Sequence, residues 1–336
     1  MGERRQRTGD MTLQLDQFGR KIEYLRISVT DKCNFRCLYC MPVEGLQWLP
    51  KSEILSYEEI AAIVEVLAAE GLSRVRLTGG EPTIRPNLEI LIASLRSIPA
   101  IRDIALSTNG LKLAQLAQPY CDAGLDRVNI SADSLRPDRI ATISRRALDF
   151  DPVASAVAAE TAGLGPIKIN MVVMRGINDD EIADFARLTL EHPWHVRFIE
   201  LMPVGSMSDV TWDHVVPSDE VLERASSVAP LSKALPPLRS NGPAAYYRFD
   251  GAPGSIGVIT PMTHTYCASC NRVRLTADGR LRTCLFGDHE VNLRDPFRAG
   301  EDLVPLFHRA LAEKPLEHQL LQMRTGGLRA LSQVGG

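Results

Sequence analysis

Leu25-Arg26-Ile27-Ser28-Val29-Thr30-Asp31-Lys32-Cys33-Asn34-Phe35-Arg36-Cys37-Leu38-Tyr39-Cys40 joins a strand pattern to a ligand pattern. Its first six residues alternate apolar and polar, the period of a strand with one buried face. Three thiols then follow in a C-x3-C-x2-C spacing at the carboxyl end of that strand. Three cysteines within eight residues can close on one metal centre, because thiolates are the soft ligands that iron-sulfur clusters and zinc select. A four-iron cluster takes four ligands, so one held by Cys33, Cys37 and Cys40 keeps an iron open to a small molecule. A structural zinc site wants a fourth Cys or a His close by. The next thiol downstream is Cys121, and zinc or unliganded thiols stand as the alternatives.

Outward from this stretch the chain repeats itself. Ser56 and Glu59 have capping-box spacing, Ile60, Ile63, Val64 and Leu67 recur at helical spacing, and Gly71 ends the helix before a strand at 74–78. Further strands are predicted at 103–108, 127–131, 167–173 and 195–202, with helices near 87–97, 112–123, 152–163 and 179–191. Six β/α repeats imply an α/β fold with a parallel sheet and helices outside, and ligands at the carboxyl ends of the strands. Pattern alone leaves a curled, incomplete barrel and a doubly wound sheet both open.

After Met202 the rhythm fails. Residues 205–217 read as loop, Ser218-Asp219-Glu220 as the cap of a short helix and 230–243 as a Pro-rich connection. Hairpins are expected at 246–260, turning near Pro253-Gly254, and at 272–286, turning at Asp278-Gly279, then a helix near 301–314. The predicted division is a flexible N-terminus over 1–17, a β/α domain over 18–217 and a smaller C-terminal region of hairpins and helix over 218–336.

A chain of 336 residues, 45% hydrophobic, is long enough for a sizeable core. A net charge of −3 argues against bulk nucleic-acid or anionic-membrane binding, so basic residues act locally if they act at all. The N-terminal residues lack the apolar core of a signal peptide, and no run approaches a membrane span. Six of the seven cysteines fall in two groups of three, which suits a reducing cytoplasm better than a disulfide framework.

The second group is Cys267, Cys270 and Cys284, a C-x2-C-x13-C set spread over the second expected hairpin. Zinc ribbons use a similar knuckle with four ligands; this count again stops at three, which favours a second cluster with an open iron. Arg272 and Arg274, two apart, project to one side of the following strand. Arg26, Arg76, Lys168 and Arg197 sit inside predicted strands among apolar neighbours. Turned inward, each would cost several kcal/mol unpaired, which calls for an anion. Internal carboxylates such as Glu200 or Asp133 could answer one or two of them; a polyphosphate could answer all.

Thr78-Gly79-Gly80-Glu81-Pro82 would let backbone amides and a carboxylate approach a ligand, or make only a tight turn. Ser107-Thr108-Asn109-Gly110 and Ser131-Ala132-Asp133-Ser134 could bind ribose or carboxylate oxygens, or satisfy their own turns. Cys121 reads as a core residue, and His192 and His195 as non-ligands.

Cys33-x3-Cys37-x2-Cys40 with Tyr39, together with Gly79-Gly80-Glu81-Pro82, resembles the radical S-adenosylmethionine superfamily. The run from Leu25 to Cys37, then Cys267-x2-Cys270-Asn271-Arg272-x-Arg274-Leu275, Cys284-Leu285-Phe286 and the terminal Gly335-Gly336 are similar to the GTP 3′,8-cyclase family of molybdenum cofactor biosynthesis. The resemblance implies an incomplete six-repeat β/α barrel closed by the C-terminal region, two 4Fe-4S clusters, and S-adenosylmethionine contacted by Tyr39, Gly80, Ser131 and Met202. It implies GTP bound by Arg26, Arg76, Ser107, Lys168, Arg197, Arg272 and Arg274, with Arg272, Arg274, Gly335 and Gly336 acting in catalysis. The reaction implied is abstraction of the C3′ hydrogen of GTP by a 5′-deoxyadenosyl radical and attack of C3′ on C8. The partners implied are a downstream cyclic pyranopterin monophosphate synthase and an electron donor, for a monomer or homodimer.

Overall fold

The computed structural model describes residues 15–202, 209–237, 242–318 and 329–335. The first six strands and their helices follow in order: β1 (Tyr24–Ser28), α1 (Tyr57–Ala69), β2 (Arg74–Thr78), α2 (Leu88–Arg96), β3 (Asp103–Thr108), α3 (Leu113–Asp122), β4 (Arg127–Ser131), α4 (Pro137–Ser144), α5 (Pro152–Thr161), β5 (Lys168–Val173), α6 (Ile182–Glu191) and β6 (His195–Glu200). The remainder comprises α7 (Ser218–Ser226), β7 (Leu231–Ala234), β8 (Ala244–Phe249), β9 (Ser255–Ile259), β10 (Arg272–Leu275), β11 (Arg280–Arg282), β12 (Glu290–Asn292), α8 (Arg294–Arg298) and α9 (Val304–Ala312).

The capping box at α1 forms as its sequence demands: Ser56 accepts from the Glu59 amide and Glu59 from the Ser56 amide. Ile60, Ile63, Val64 and Leu67 of that helix are buried against the sheet. Strands β1 to β6 are parallel neighbours in sequence order. Leu25, Ile27, Val75, Leu77, Ile104, Leu106, Val128 and Ile130 on their outer face join the helices in one core. The other face is polar: Tyr24, Arg26, Arg74, Arg76, Ser107, Arg127, Asn129, Lys168, Asn170 and Arg197 line one cavity. A closed β/α barrel fills that space with branched apolar layers, whereas this one keeps a chamber.

Asn129 on β4 meets both Arg76 of β2 and Arg197 of β6, which requires the sheet to curl rather than lie open. The hairpins foreseen after residue 217 are present, and they do not stand apart from this sheet. Strand β10 pairs in parallel with β1 (Arg26↔Arg274), and β9 pairs in parallel with β6 (Arg197↔Gly257). Strands β11–β12 and β8–β7 continue antiparallel from those two edges, giving the order β12-β11-β10-β1-β2-β3-β4-β5-β6-β9-β8-β7 among the described residues. The six-repeat barrel is therefore flanked on both sides by C-terminal strands. No described helix is long and apolar enough to cross a membrane.

Candidate active site

The cavity occupies about 430 Å³, within the range of small-molecule sites. Cys33, Cys37 and Cys40 line its upper end, beyond the carboxyl end of β1. Their loop is held from three sides. Arg36 and Leu38 donate backbone N–H bonds to the carbonyls of Ser144 and Ile143 at the end of α4, at 2.8 and 3.1 Å. Arg145, in the left-handed region at φ 51°, donates to the carbonyls of Arg36 and Met41. Asn109 at the end of β3 donates to Asn34 at 2.8 Å, and Phe35 packs edge-on against Phe150.

Burial raises all three thiols, Cys33 to about 12 and Cys40 to about 11. Tyr39 donates to Asp133 at 2.7 Å, and burial lifts that carboxyl to about 6 despite the bonds from Val172 and Tyr39.

The Gly-Gly-Glu turn is tighter than its sequence suggests. A Cβ on Gly80 would lie 1.8 Å from the Lys32 carbonyl oxygen, and one on Gly79 2.7 Å from that of Thr30. The amides of Gly80 and Glu81 donate to those two carbonyls, at 2.8 Å each. The buried Glu81 carboxylate accepts from Thr83 N–H and O–H, Thr108 O–H and Asn109 N–H. These amides and this carboxylate brace the loop that presents the cysteines, as the tight-turn reading of the stretch expects, while Gly79, Gly80 and Glu81 also line the cavity. Thr108 and Asn109 likewise serve the loop, and Ser134 donates to Glu181. Ser107, which accepts from Arg76 at 3.1 Å, and Ser131 face the cavity with Gly80 and Met202.

Below the thiols the chamber is cationic. The single carboxylate at inward positions of β1 to β6, Asp103, is taken by Arg127. Glu200, a sequence-level candidate for balancing the cations, instead accepts from Ser218, Met262 and Thr263, while Asp133 serves Tyr39 and Val172. Among the described residues, Arg76, Lys168, Arg197, Arg272 and Arg274 enter no salt bridge, although all line the cavity. Neutral groups hold them: Tyr24 and Ser107 for Arg76, Asn170 for Arg197 at 2.8 Å, and Asn129, whose amide oxygen stands 2.9 Å from Arg197 Nη2. Burial, then repulsion by Arg197, Arg127 and Arg76, pushes Lys168 down to about 6. Burial lowers Arg197 and Arg274 to about 10, and Arg26 well below the usual arginine range with Arg274 and Arg76 adding to it. Tyr24, Arg127, Asn129 and Asn170 were not singled out from sequence; the Arg127-Asn129-Ser131 alternation was the signal.

The hairpin of β10 and β11 brings Cys270, before its first strand, toward Cys284, after its second, with Cys267 one short turn back. Tyr266, Asn271, Arg272 and Leu285 beside them line the cavity; the three thiols do not. At the other end of the chain, Leu331 and Ser332 line the cavity, and Arg274 donates to the carbonyls of Val334 and Gly335. Gly336 lies outside the described residues. His192 stacks on Trp194, and His195 pairs with Ser255.

Among the described residues no three Cys, His, Asp or Glu side chains converge to metal-ligand distance. The chemistry of the donor sets nonetheless fits iron-sulfur clusters: each loop offers three free thiols.

A family model for the radical SAM superfamily matches residues 27–189, and one for Molybdenum Cofactor Synthesis C matches residues 194–320. The chain is 48% identical over 326 residues to a GTP 3′,8-cyclase of Moorella thermoacetica, covering 96% of this chain and 99% of that one. The chain belongs to the GTP 3′,8-cyclase family. A member from Pelotomaculum thermopropionicum is 46% identical, over 96% of this chain and 99% of its own. In fold the chain is similar to Streptococcus suis SuiB solved with S-adenosylmethionine, at 14% identity and a TM-score of 0.59 over 91% of this chain and 72% of that one.

Proposed function

We propose that this protein is a GTP 3′,8-cyclase that binds S-adenosylmethionine at a 4Fe-4S cluster on Cys33, Cys37 and Cys40. GTP lies in the chamber below, with its base toward a second 4Fe-4S cluster on Cys267, Cys270 and Cys284. The observation that carries this reading is the surplus of inward cations between two three-thiol loops, with the internal carboxylates engaged elsewhere.

Tyr39, Gly80, Ser131 and Met202 line the same cavity as the first three thiols and would hold the cofactor. Arg26, Arg76, Lys168 and Arg197 would take the triphosphate, and Ser107 the sugar beside Arg76, because guanidinium forks match phosphate oxygens. Asn129 and Asn170 keep Arg76 and Arg197 aimed without neutralising them. When bound, the cluster and S-adenosylmethionine supply a 5′-deoxyadenosyl radical that takes the C3′ hydrogen of GTP. The protein then has to keep C3′ against C8 of guanine and keep water out, which is orientation rather than acid-base work. Arg272 and Arg274 reach the same space from β10 and would steady the closing ring. The tail, through the Gly335 carbonyl, would set the attitude of Arg274, and Gly335 and Gly336 would act in catalysis with it.

The C-terminal region over 218–336 would supply the second cluster, a separate synthase would consume the cyclised product, and an external donor would supply electrons. Thiols committed to iron suit the cytoplasm. Iron and sulfide analysis after anaerobic reconstitution tests the reading: about eight irons per chain are expected for two four-iron clusters. With GTP, S-adenosylmethionine and a reductant, 5′-deoxyadenosine should appear with 3′,8-cyclo-7,8-dihydro-GTP. Zinc without sulfide would reject it.

A further inference from the structure

Lys314, just after α9, is only 2% exposed, yet among the described residues no carboxylate pairs with it. Its three donors go to the carbonyls of Arg272, at 3.0 Å, and Thr283, and to the sulfur of Cys270 at 3.6 Å. Arg272 lies two residues after Cys270, and Thr283 one before Cys284, so the ammonium ties both arms of the β10–β11 hairpin at its thiols. Arg20 offers a contrast nearby. It too reaches the trio, through the Cys267 carbonyl at 2.9 Å, but its charge is matched by Asp16 at 2.6 Å.

A buried ammonium costs several kcal/mol unless an anion answers it. Carbonyl oxygens and a neutral thiol answer it only in part. A four-iron centre held by three thiolates carries net negative charge, which grows on reduction, and hydrogen bonds to its sulfurs and local charge set its potential. We propose that Lys314 is a positioning residue of the second cluster, whose counter-ion is the cluster itself and whose N–H···S bond makes that cluster easier to reduce. This rests on the two-cluster reading above.

The test is a redox titration of anaerobically reconstituted protein followed by electron paramagnetic resonance, with iron and sulfide counted in the same samples. Lys314→Met is expected to lower the reduced-to-oxidised ratio of the second cluster about tenfold at a fixed poise, or about 59 mV for one electron. The first cluster, an internal control, should keep its midpoint, and Lys314→Arg should bring the second back toward wild type. If the Met variant fails to hold the cluster, Lys314→Gln, which keeps a donor and loses the charge, must show a negative shift confined to that cluster. An unmoved second midpoint in a cluster-bearing variant, or an equal shift of both, overturns the inference. Wild-type protein with only about four irons would overturn the two-cluster reading instead.

Discussion

Lys168 shows at the scale of one residue how binding is stored in the fold. Its ammonium sits on the inward face of β5 with Arg197, Arg127 and Arg76 around it, and burial first, then those charges, bring it down to about 6. Unfolded, the same group holds its proton to about 10.4, so between those values the unfolded chain binds more protons and stability rises with pH. Lys168→Met should therefore stabilise the ligand-free protein at neutral pH, on the order of 1 kcal/mol, while removing GTP affinity. Denaturant unfolding read beside calorimetric binding checks both halves.

A triphosphate beside Lys168 would restore its proton. GTP should thus be taken up with a proton at about pH 7 to 8, and its affinity should fall as pH rises through that window. Titration calorimetry in buffers of different ionisation enthalpy measures the uptake; no buffer dependence would contradict it. Arg76→Ala should weaken GTP about 10- to 100-fold, the worth of one or two charge-assisted bonds, and guanosine far less. Equal losses would mean that the cations do not read phosphate. The identity of these residues was legible in the sequence, but their direction was not. Parity along a strand fixes two faces without saying which is the lumen, and only the register and the placement of Asp133 and Glu200 decided it.

Among elements, the β2 turn and the cysteine loop behave as one piece. Gly80 has no room for a side chain against Lys32, and Glu81 gathers four donors from two turns. Gly80→Ala should displace the 31–33 backbone and cost the first cluster, leaving about four irons of eight with S-adenosylmethionine cleavage lost. Iron counting on reconstituted variant and wild type decides this.

The strands β1 to β6 and helices α1, α2, α3 and α5 could be read from periodicity to within a residue or two, and α6 to within three at its start, where a 3-10 turn over Asp179–Glu181 precedes it. Helix α4 escaped notice because its eight residues bury only Ile140, Ile143 and Ser144. Strands β7 and β12, of four and three residues, carry too little pattern to find.

At the scale of the whole molecule, the sheet joins residues far apart in the chain. Pairing of β1 with β10 places Arg26 beside Arg274, 248 positions later, and no local pattern could have announced it. The C-terminal strands therefore do more than cover a finished barrel: they add Arg272 and Arg274 to its inner wall, with Tyr266, Asn271 and Leu285, the neighbours of the second trio of thiols, beside them. The tail belongs to the same construction, with Arg329 bonded to Asp278 at 2.9 Å and Arg274 to the Gly335 carbonyl. Deleting residues 335–336 should leave S-adenosylmethionine cleavage within about twofold and lower cyclised product at least tenfold, since the first thiol loop is untouched while Arg274 loses the Gly335 carbonyl and keeps only the longer bond to Val334. Product analysis of the truncated chain checks the split.

The central claim is that the chamber presents C3′ of GTP to a radical formed beside Cys33, Cys37 and Cys40. GTP deuterated at C3′ tests it most directly in anaerobically reconstituted protein with S-adenosylmethionine and a reductant. Deuterium should appear in 5′-deoxyadenosine, with cyclised nucleotide in matching amount; unlabelled 5′-deoxyadenosine accompanied by unchanged GTP would contradict the account.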